Sequence, residues 1–537
     1  MTKKQTTIIT ILSIAAFLLA LMVTSRVWLR LDLTKNKAYT ISKVSRNLHK
    51  ELPDPVNITY YLSNKLRTVL PAPGEIEDTL REFTAYSRGR IRLTVRDPVN
   101  AGLQTVEALG LQPRQVPISE QDETGLITVY SGIVIEYLDK VDVLPWVIST
   151  ETLEYDLTSR IRSMVNETER WVGVIVGDSF RQWSNDFSYL NSSLSQAGYR
   201  VRPIMSGEEI PDNTPALFVF GGVEEFDDWA LYRIDRYIQL GGKVLFAAKG
   251  VFVDTMQGTL EPRLQQDQGL LGMIASYGII IRPELVLDRN ALRLQYQSRM
   301  PSGGMQYRIV RYPLWIGIQG ENGNTQHPVS SNFSGLDLYW ASPLELAASP
   351  SIEATALFST SKEGWLMREA FYTNPEVPYM LEMEAAQTKG EKILCASLSG
   401  AFTSFFRGAP KPAREGSAEE LPDMPEYARP SRLIVIGETD FATNMIGATQ
   451  AAHNLDFLLR AADWLSNDDD IIGIRSRQPQ AGRFDKITDP ASRAAAMRFV
   501  KIFNVVIVPL LVLAAGLFIA YRRKKRSLKT EENPNDV

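Results

Sequence analysis

Two long uncharged apolar runs frame the chain, and between them the pattern turns to short apolar stretches, helical periodicities and turn residues. Residues 6–25 read TTIITILSIAAFLLALMVTS and residues 502–521 read IFNVVIVPLLVLAAGLFIAY. About 20 residues at helical rise cross a hydrocarbon core of roughly 30 Å, so each run predicts a membrane-spanning helix. Lys3 and Lys4 before the first run would also suit a cleaved signal peptide, but such cores are shorter and no Ala-x-Ala-like site precedes Arg26. The second run is followed by Arg522-Arg523-Lys524-Lys525-Arg526, a basic cluster retained on the cytoplasmic side. Pro509 and Gly516 are tolerable inside it, because hydrocarbon enforces helix and a neighbouring helix can cover the freed carbonyl. Two spans put both termini in the cytoplasm and everything between them outside it.

The first external stretch predicts strands at 56–62 and 91–96, helices at 75–86 and 101–109, and a pair of strands at 126–130 and 133–138. The order β-α-β-α-β-β is thioredoxin-like. A connecting helix at 153–165 leads to a larger α/β region, whose strands at 172–176 and 217–220 run into glycine turns. There the helix at 229–240 stops at Gly241-Gly242, ahead of a strand at 243–247. Further apolar strands at 285–287, 354–358, 392–396 and 433–436 complete a mainly parallel, doubly wound sheet, and a helix at 454–465 closes it. The Pro-, Gly- and Glu-rich stretch 407–430 reads as a mobile surface loop. The predicted organisation is a spanning helix at 1–28, a thioredoxin-like domain at 29–165, a large α/β domain at 166–473, a tether at 474–500, a second spanning helix at 501–522 and a basic cytoplasmic tail at 523–537.

Composition narrows the chemistry. With 44% apolar and 22% charged residues among 537, the middle of the chain can build a substantial core. A formal net charge of -4 gives no basic surface for polyanions, and nucleic acid is not an expected partner. The single cysteine, Cys395, lies in an apolar run and reads as a buried strand residue. It rules out an intrachain disulfide and the Cys-x-x-Cys chemistry of thioredoxins. His49, His327 and His453 are scattered, and Asp468-Asp469-Asp470 lacks calcium-loop spacing, so no metal is assigned. No Gly-x-x-x-x-Gly-Lys-Ser/Thr loop is present, and no cofactor is expected.

One motif invites a catalytic reading. Gly177-Asp178-Ser179 places a serine just past a strand, as in Gly-Asp-Ser hydrolases, but those esterases draw their base from a late Asp-x-x-His. Here Gln450 precedes His453 and Asn324 precedes His327 at that spacing, which leaves the hydroxyl without a base. A related turn recurs at Gly437-Glu438-Thr439, and Gly221-Gly222 ends another strand. Glycine supplies positive φ where needed and the acidic or hydroxyl side chain can cap the next helix. These eight positions, Gly177, Asp178, Ser179, Gly221, Gly222, Gly437, Glu438 and Thr439, are read first as turns and second as a ligand cleft at the strands' carboxyl ends. Trp146 and Trp183 read as core fillers rather than ligand contacts.

An ordered series of segments carries a family resemblance. It runs Leu31-Asp32-Leu33-Thr34, Tyr39-Thr40-Ile41-Ser42, Glu154-Tyr155-Asp156-Leu157-Thr158, Gly241-Gly242-Lys243, Leu285-Val286-Leu287-Asp288 and Tyr312-Pro313-Leu314-Trp315, and continues through Ser359-Thr360-Ser361, residues 454–465 and Ile472-Gly473-Ile474-Arg475-Ser476-Arg477. In this order, between two terminal helices, they resemble the auxiliary component of gliding-motility-associated ABC transporters, the GldG-type proteins. The resemblance implies partnership with a separate permease and ATPase in the bacterial inner membrane, with the large domain periplasmic and glutamine-amidotransferase-like. No Gly-x-Cys-x-Gly elbow is present, so it carries over no catalytic residue and implies a non-enzymatic subunit of transport, gliding motility or envelope function. Two rivals from other classes are an envelope hydrolase using Ser179 and a structural envelope scaffold without transport.

Overall fold

A computed structural model describes residues 40–466 apart from 71, 121–122, 151, 167–169, 178–180, 223–225, 255–259, 266–268, 300–302, 332–334, 369 and 415–419, together with Ile474 and isolated positions from 498 to 518. Contacts divide the chain into Met1–Gln478 and Pro479–Val537. Among the described residues no helix is long and apolar enough to cross a membrane. The run at 6–25 lies outside them, and that at 502–521 is described only at isolated positions.

The first sheet grows from β1 (Val56–Leu62), α1 (Ala72–Ala85) and β2 (Ile91–Arg96). Two short helices, Pro98–Ala101 and Leu103–Ala108, follow, broken at Gly102 where φ is +91°. Next come β3 (Arg114–Glu120), β4 (Glu123–Val129), β5 (Ser131–Tyr137), β6 (Lys140–Leu144) and α2 (Leu153–Asn166). The sheet order is β2-β1-β5-β6, with β1 and β2 parallel, β5 antiparallel to β1 and β6 antiparallel to β5. Here the sequence reading needs correcting: 126–130 and 133–138 do not pair with each other. Residues 126–129 belong to β4, which pairs with β3 as a separate hairpin, while β5 pairs with β6. Ile58, Tyr60, Ile133 and Ile135 meet Ile76, Leu80 and Phe83 of α1 and Leu157 and Ile161 of α2 on one face.

The second sheet is built on β7 (Trp171–Gly177), α3 (Ser188–Gln196), β8 (Arg200–Pro203), β9 (Leu217–Gly221), α4 (Asp228–Gln239) and β10 (Val244–Ala247). Helix α4 starts where the Asp227 carboxylate accepts the Ala230 N–H at 2.8 Å and ends at Gly241, with φ of +91°. The chain continues through β11 (Val251–Asp254), β12 (Glu261–Leu264), α5 (Gly269–Tyr277), β13 (Ile279–Ile281), β14 (Leu285–Leu287), β15 (Ala291–Arg299), β16 (Met305–Ile318) and β17 (Leu336–Tyr339). It finishes with β18 (Leu344–Leu346), β19 (Glu353–Ser359), β20 (Trp365–Met367), β21 (Ile393–Gly400), β22 (Ser431–Ile436) and α6 (Ala452–Ser466).

Among the described residues nine strands form the main sheet, in the order β13-β18-β21-β22-β10-β9-β7-β8 with β19 on β21. The strands β8, β7, β9, β10 and β22 are parallel, whereas β21, β18, β13 and β19 join through antiparallel pairs. The sheet is therefore mixed rather than mainly parallel. Residues 285–287 are not in it, because they pair with β20. An unforeseen sheet, β15-β16-β17, packs its Ile316, Ile318, Leu336 and Leu338 into the same core as α6.

Alternation along the parallel strands explains why they read as unbroken apolar runs. Val172, Val174, Phe218, Phe220, Leu245, Ala247, Ile434 and Ile436 face α3 and α6. Their neighbours Ile175, Leu217, Val219, Val244, Phe246, Leu433 and Val435 face α4 and α5. Both faces are covered, so the buried positions on either side are apolar along the middle of these strands. The stretch 407–430 is not the free loop its composition suggests: at its described residues it is pinned across α4. Leu421 packs on Trp229 and Tyr232, and the Tyr232 hydroxyl donates to the Pro422 carbonyl at 3.0 Å.

Candidate functional site

The parallel registers bring the carboxyl ends of β7, β9, β10 and β22 into line: Gly177 pairs with Gly221, and Ala247 with both Phe220 and Ile436. Gly177, Gly221, Gly222, Gly437, Glu438 and Thr439 thus lie along one edge of the sheet, as a cleft reading requires. Asp178 and Ser179 lie outside the described residues, as does the Asp468-Asp469-Asp470 run.

The glycines serve close packing. A Cβ on Gly177 would sit 2.3 Å from the Phe226 ring, one on Gly221 would sit 3.2 Å from Leu270, and one on Gly437 would sit 2.0 Å from the Ser342 carbonyl oxygen. The cavity beside them, lined by Gly221, Gly222, Lys249 and Gln265 among others, measures about 10 Å³, room for a single water.

Glu438 and Thr439 belong to a buried charge cluster that sequence reasoning missed. The turn after β10 delivers Lys249, 2% exposed, and the turn after β22 delivers Glu438, at 0%, and Asp440, at 5%. The Lys249 ammonium donates to Glu438 Oε1 at 3.2 Å and to Asp440 Oδ2, while Arg181 donates to Asp440 Oδ1. Glu438 also accepts the backbone N–H groups of Asp440, at 2.7 Å, and Phe441, at 2.6 Å. Two cations thus face two carboxylates, and the acids divide. Burial opposes ionisation of Asp440, but Lys249 and Arg181 outweigh it and hold that carboxyl below its ordinary range. Burial pushes Glu438 up to about 7, with Lys249 offsetting only part of the effect. Thr439 Oγ1 is buried in this turn without a hydrogen-bond partner.

No sequence signal marks Lys249, Asp440 or Arg181 as a group, because the partners of Lys249 lie 189 and 191 residues away. A lysine closing the apolar run of β10 was the one local cue. What the arrangement does chemically is to tie the ends of β10 and β22 together with hydrogen-bonded charge.

The two histidines considered as a base for a serine have other described neighbours. His327 Nε2 lies 3.3 Å from Ser397 Oγ with its ring on Trp464, and burial followed by the nearby Arg432 lowers its pKa to about 4. His453 Nε2 is 3.1 Å from Asp337 Oδ1 without hydrogen-bond alignment. Among the described residues no group of three or more His, Cys, Asp or Glu could hold a metal ion.

Among the segments of the family resemblance, 31–34 and most of 472–477 lie outside the described residues, and three of the others lie at structural joints. Glu154 Oε1 accepts the Ser42 N–H at 2.7 Å and the Ser45 hydroxyl at 2.6 Å. Tyr155 packs with Ile474 and Val44. Asn454 reads both sides of the Asp337 backbone, accepting its N–H and donating to its carbonyl, each at 2.9 Å.

Residues 169–461 match the model of a family described as an ABC-type uncharacterized transport system, and residues 35–136 match a domain family of unknown function. An uncharacterized protein of Borreliella burgdorferi is 25% identical over 517 residues, covering 93% of this chain and 94% of that one. Among solved structures, the mmIFT52 N-terminal domain aligns with 55% of this chain and 98% of its own at 12% identity and a TM-score of 0.32. A ThuA-like protein from Parabacteroides merdae aligns with 56% and 90% at 12% identity and a TM-score of 0.26. Both superpositions are too loose to transfer a residue's role.

Proposed function

The chain belongs to the family described as an ABC-type uncharacterized transport system, and from that premise we propose that it is a non-enzymatic auxiliary subunit of an ABC transporter, held in the bacterial inner membrane by helices at 1–28 and 501–522. In this reading residues 29–500 work outside the cytoplasm, both termini stay inside, and the partners are a separate permease and ATPase. The observation that carries it is the family match over 169–461, within a chain whose two long apolar runs lie on either side.

The finer GldG-type placement rests on the ordered segments, and a part in gliding motility or envelope function follows from that likeness. The order β2-β1-β5-β6, with α2 after it, supports a thioredoxin-like first domain. The five parallel strands between two helical layers support an amidotransferase-like second one. The ion-paired strand ends and the small cavity beside them support a role without catalysis.

Purification of the tagged full chain in mild detergent should recover an ABC permease and ATPase, and their absence would end this reading. Protease added to intact spheroplasts should cut within 29–500 and spare the tail at 523–537, whereas a protected middle would overturn the topology. Ser179→Ala should leave function intact, and its loss would favour the envelope hydrolase instead.

A further inference from the structure

A second cavity lies away from the strand-end turns, where the first sheet's α2 and the segment after β6 face α3 and α6. Its volume is about 640 Å³, within the range of roughly 300–1,000 Å³ typical of small-molecule sites. Trp146, Val147, Leu153 and Leu459 give it apolar walls, and Ser193 and Gln196 add hydrogen-bonding groups from α3. Trp146, read from sequence as a core filler, is only half-buried and lines this space.

The polar floor is built around Arg170, whose side chain is 10% exposed. Its guanidinium donates to Ser159 Oγ at 3.1 Å, to the Ala197 carbonyl at 3.4 Å and to Asp463 Oδ1 at 3.3 Å, and it stacks 4.3 Å from the Tyr199 ring. Its Nε–H is buried and has no acceptor. A buried donor left unmade is costly, and the Nε–H is the one guanidinium position open to a carboxylate oxygen, a charge-assisted hydrogen bond. Asp463 is already committed to Arg170 and to the Tyr199 hydroxyl, which donates to it at 2.5 Å. Asp156, half-buried on the first turn of α2, lines the same cavity and adds a second carboxylate within electrostatic reach of Arg170. With Asp156 and Asp463 both present, a dianionic phosphate is disfavoured, whereas a ligand carrying one carboxylate and one ammonium is matched at both ends.

We propose that this cavity binds a short peptide with both termini free, its carboxylate on Arg170, its ammonium toward Asp156 and its side chains against Trp146 and Leu459. The site is independent of the strand-end turns and of any membrane partner, so it can be tested on the purified chain.

Isothermal titration of the full chain in detergent with Ala-Ala and Leu-Leu should show saturable one-to-one binding. N-acetylation or C-amidation of either peptide should weaken it roughly tenfold to a hundredfold, the range expected for losing a hydrogen bond to a charged group. Arg170 also holds Ser159, Ala197 and Asp463, so the decisive variant is Ser193→Trp, which fills the space from a half-buried position. It should abolish binding with an unchanged melting temperature, and Asp156→Asn should weaken free peptides while leaving N-acetylated ones unaffected. Absence of binding by both free peptides overturns the proposal. So does equal affinity for blocked peptides, preference for inorganic phosphate, or undiminished binding by a folded Ser193→Trp chain.

Discussion

Asp288 holds Ser361 twice: Oδ2 accepts its backbone N–H and Oδ1 its hydroxyl, each at 2.6 Å. The same carboxylate accepts the Asn290 N–H at 2.9 Å, and Asp288 is 1% exposed. It thereby fixes the exits of β14 and β19, two strands with no direct pairing. Asp288→Ala leaves those half-buried donors without their acceptor, at an expected cost of about 1–3 kcal/mol, while Asp288→Asn keeps part of the network and costs less. Urea unfolding of both variants checks this, and equal midpoints for wild type and Asp288→Ala would refute it.

This joint also shows what the sequence could and could not disclose. Leu285–Asp288 and Ser359–Ser361 were visible as separate segments, but not as one contact, because Asp288 and Ser361 stand 73 positions apart. Strands such as β1, β7, β9 and β22 were legible because burial on both faces leaves a continuous apolar run. The sheet β15-β16-β17 was passed over although its hairpin alternates in twos, with Leu292, Leu294 and Tyr296 on β15 and Tyr312, Leu314, Ile316 and Ile318 on β16; exposed Met305, Tyr307 and Ile309 carry the same period onto a face that is not core. The placement of 285–287 failed for another reason: three apolar residues specify a strand and say nothing of its partner. At the strand ends Glu438 and Thr439 were found through a turn motif, while Lys249 and Arg181 had no local signature to find.

Gly437 tests whether the strand-end glycines serve packing. Its N–H donates to the Leu394 carbonyl at 3.0 Å and its carbonyl accepts from Ser342 at 2.8 Å, so the backbone is held on both sides. A methyl group there would meet the Ser342 carbonyl oxygen at 2.0 Å, which no rotamer change relieves. Gly437→Ala is expected to destabilise the protein by about 3 kcal/mol, against less than about 1 kcal/mol for Gly74→Ala, where a Cβ meets nothing within 4 Å. Thermal melts of the two variants should separate clearly, and coincident curves would remove the packing account.

Cys395 offers a probe that needs no engineering. It is the single cysteine of the chain, fully buried on β21 between β19 and β22, and burial pushes its thiol well above the ordinary value. The thiolate is the reactive form, so a disulfide reagent should leave the native chain unmodified for hours and label one thiol per chain in denaturant. Rapid labelling of the native chain would contradict the central position of β21.

The Lys249 cluster makes stability depend on pH in a defined direction. Glu438 titrates near 4.5 when unfolded and at about 7 when folded, so between those values the native chain holds a proton that the unfolded chain has released. Stability from this group is complete below about 4.5 and declines as pH rises toward 7, with a slope of up to about 1.4 kcal/mol per pH unit. Glu438→Gln mimics the protonated acid and should remove that slope. Asp440, held low by Lys249 and Arg181, acts oppositely: its contribution is present above its unfolded value and is lost only on strong acidification. Lys249→Met withdraws the cation shared by both acids and leaves buried negative charge, at an expected cost of roughly 3–5 kcal/mol at pH 8. The loss should shrink near pH 5, where Glu438 is neutral and Arg181 remains beside Asp440. Chemical denaturation of wild type, Glu438→Gln and Lys249→Met across pH 5 to 8 distinguishes these outcomes, and a Lys249→Met penalty that grows on acidification would show that the charges are not arranged as described.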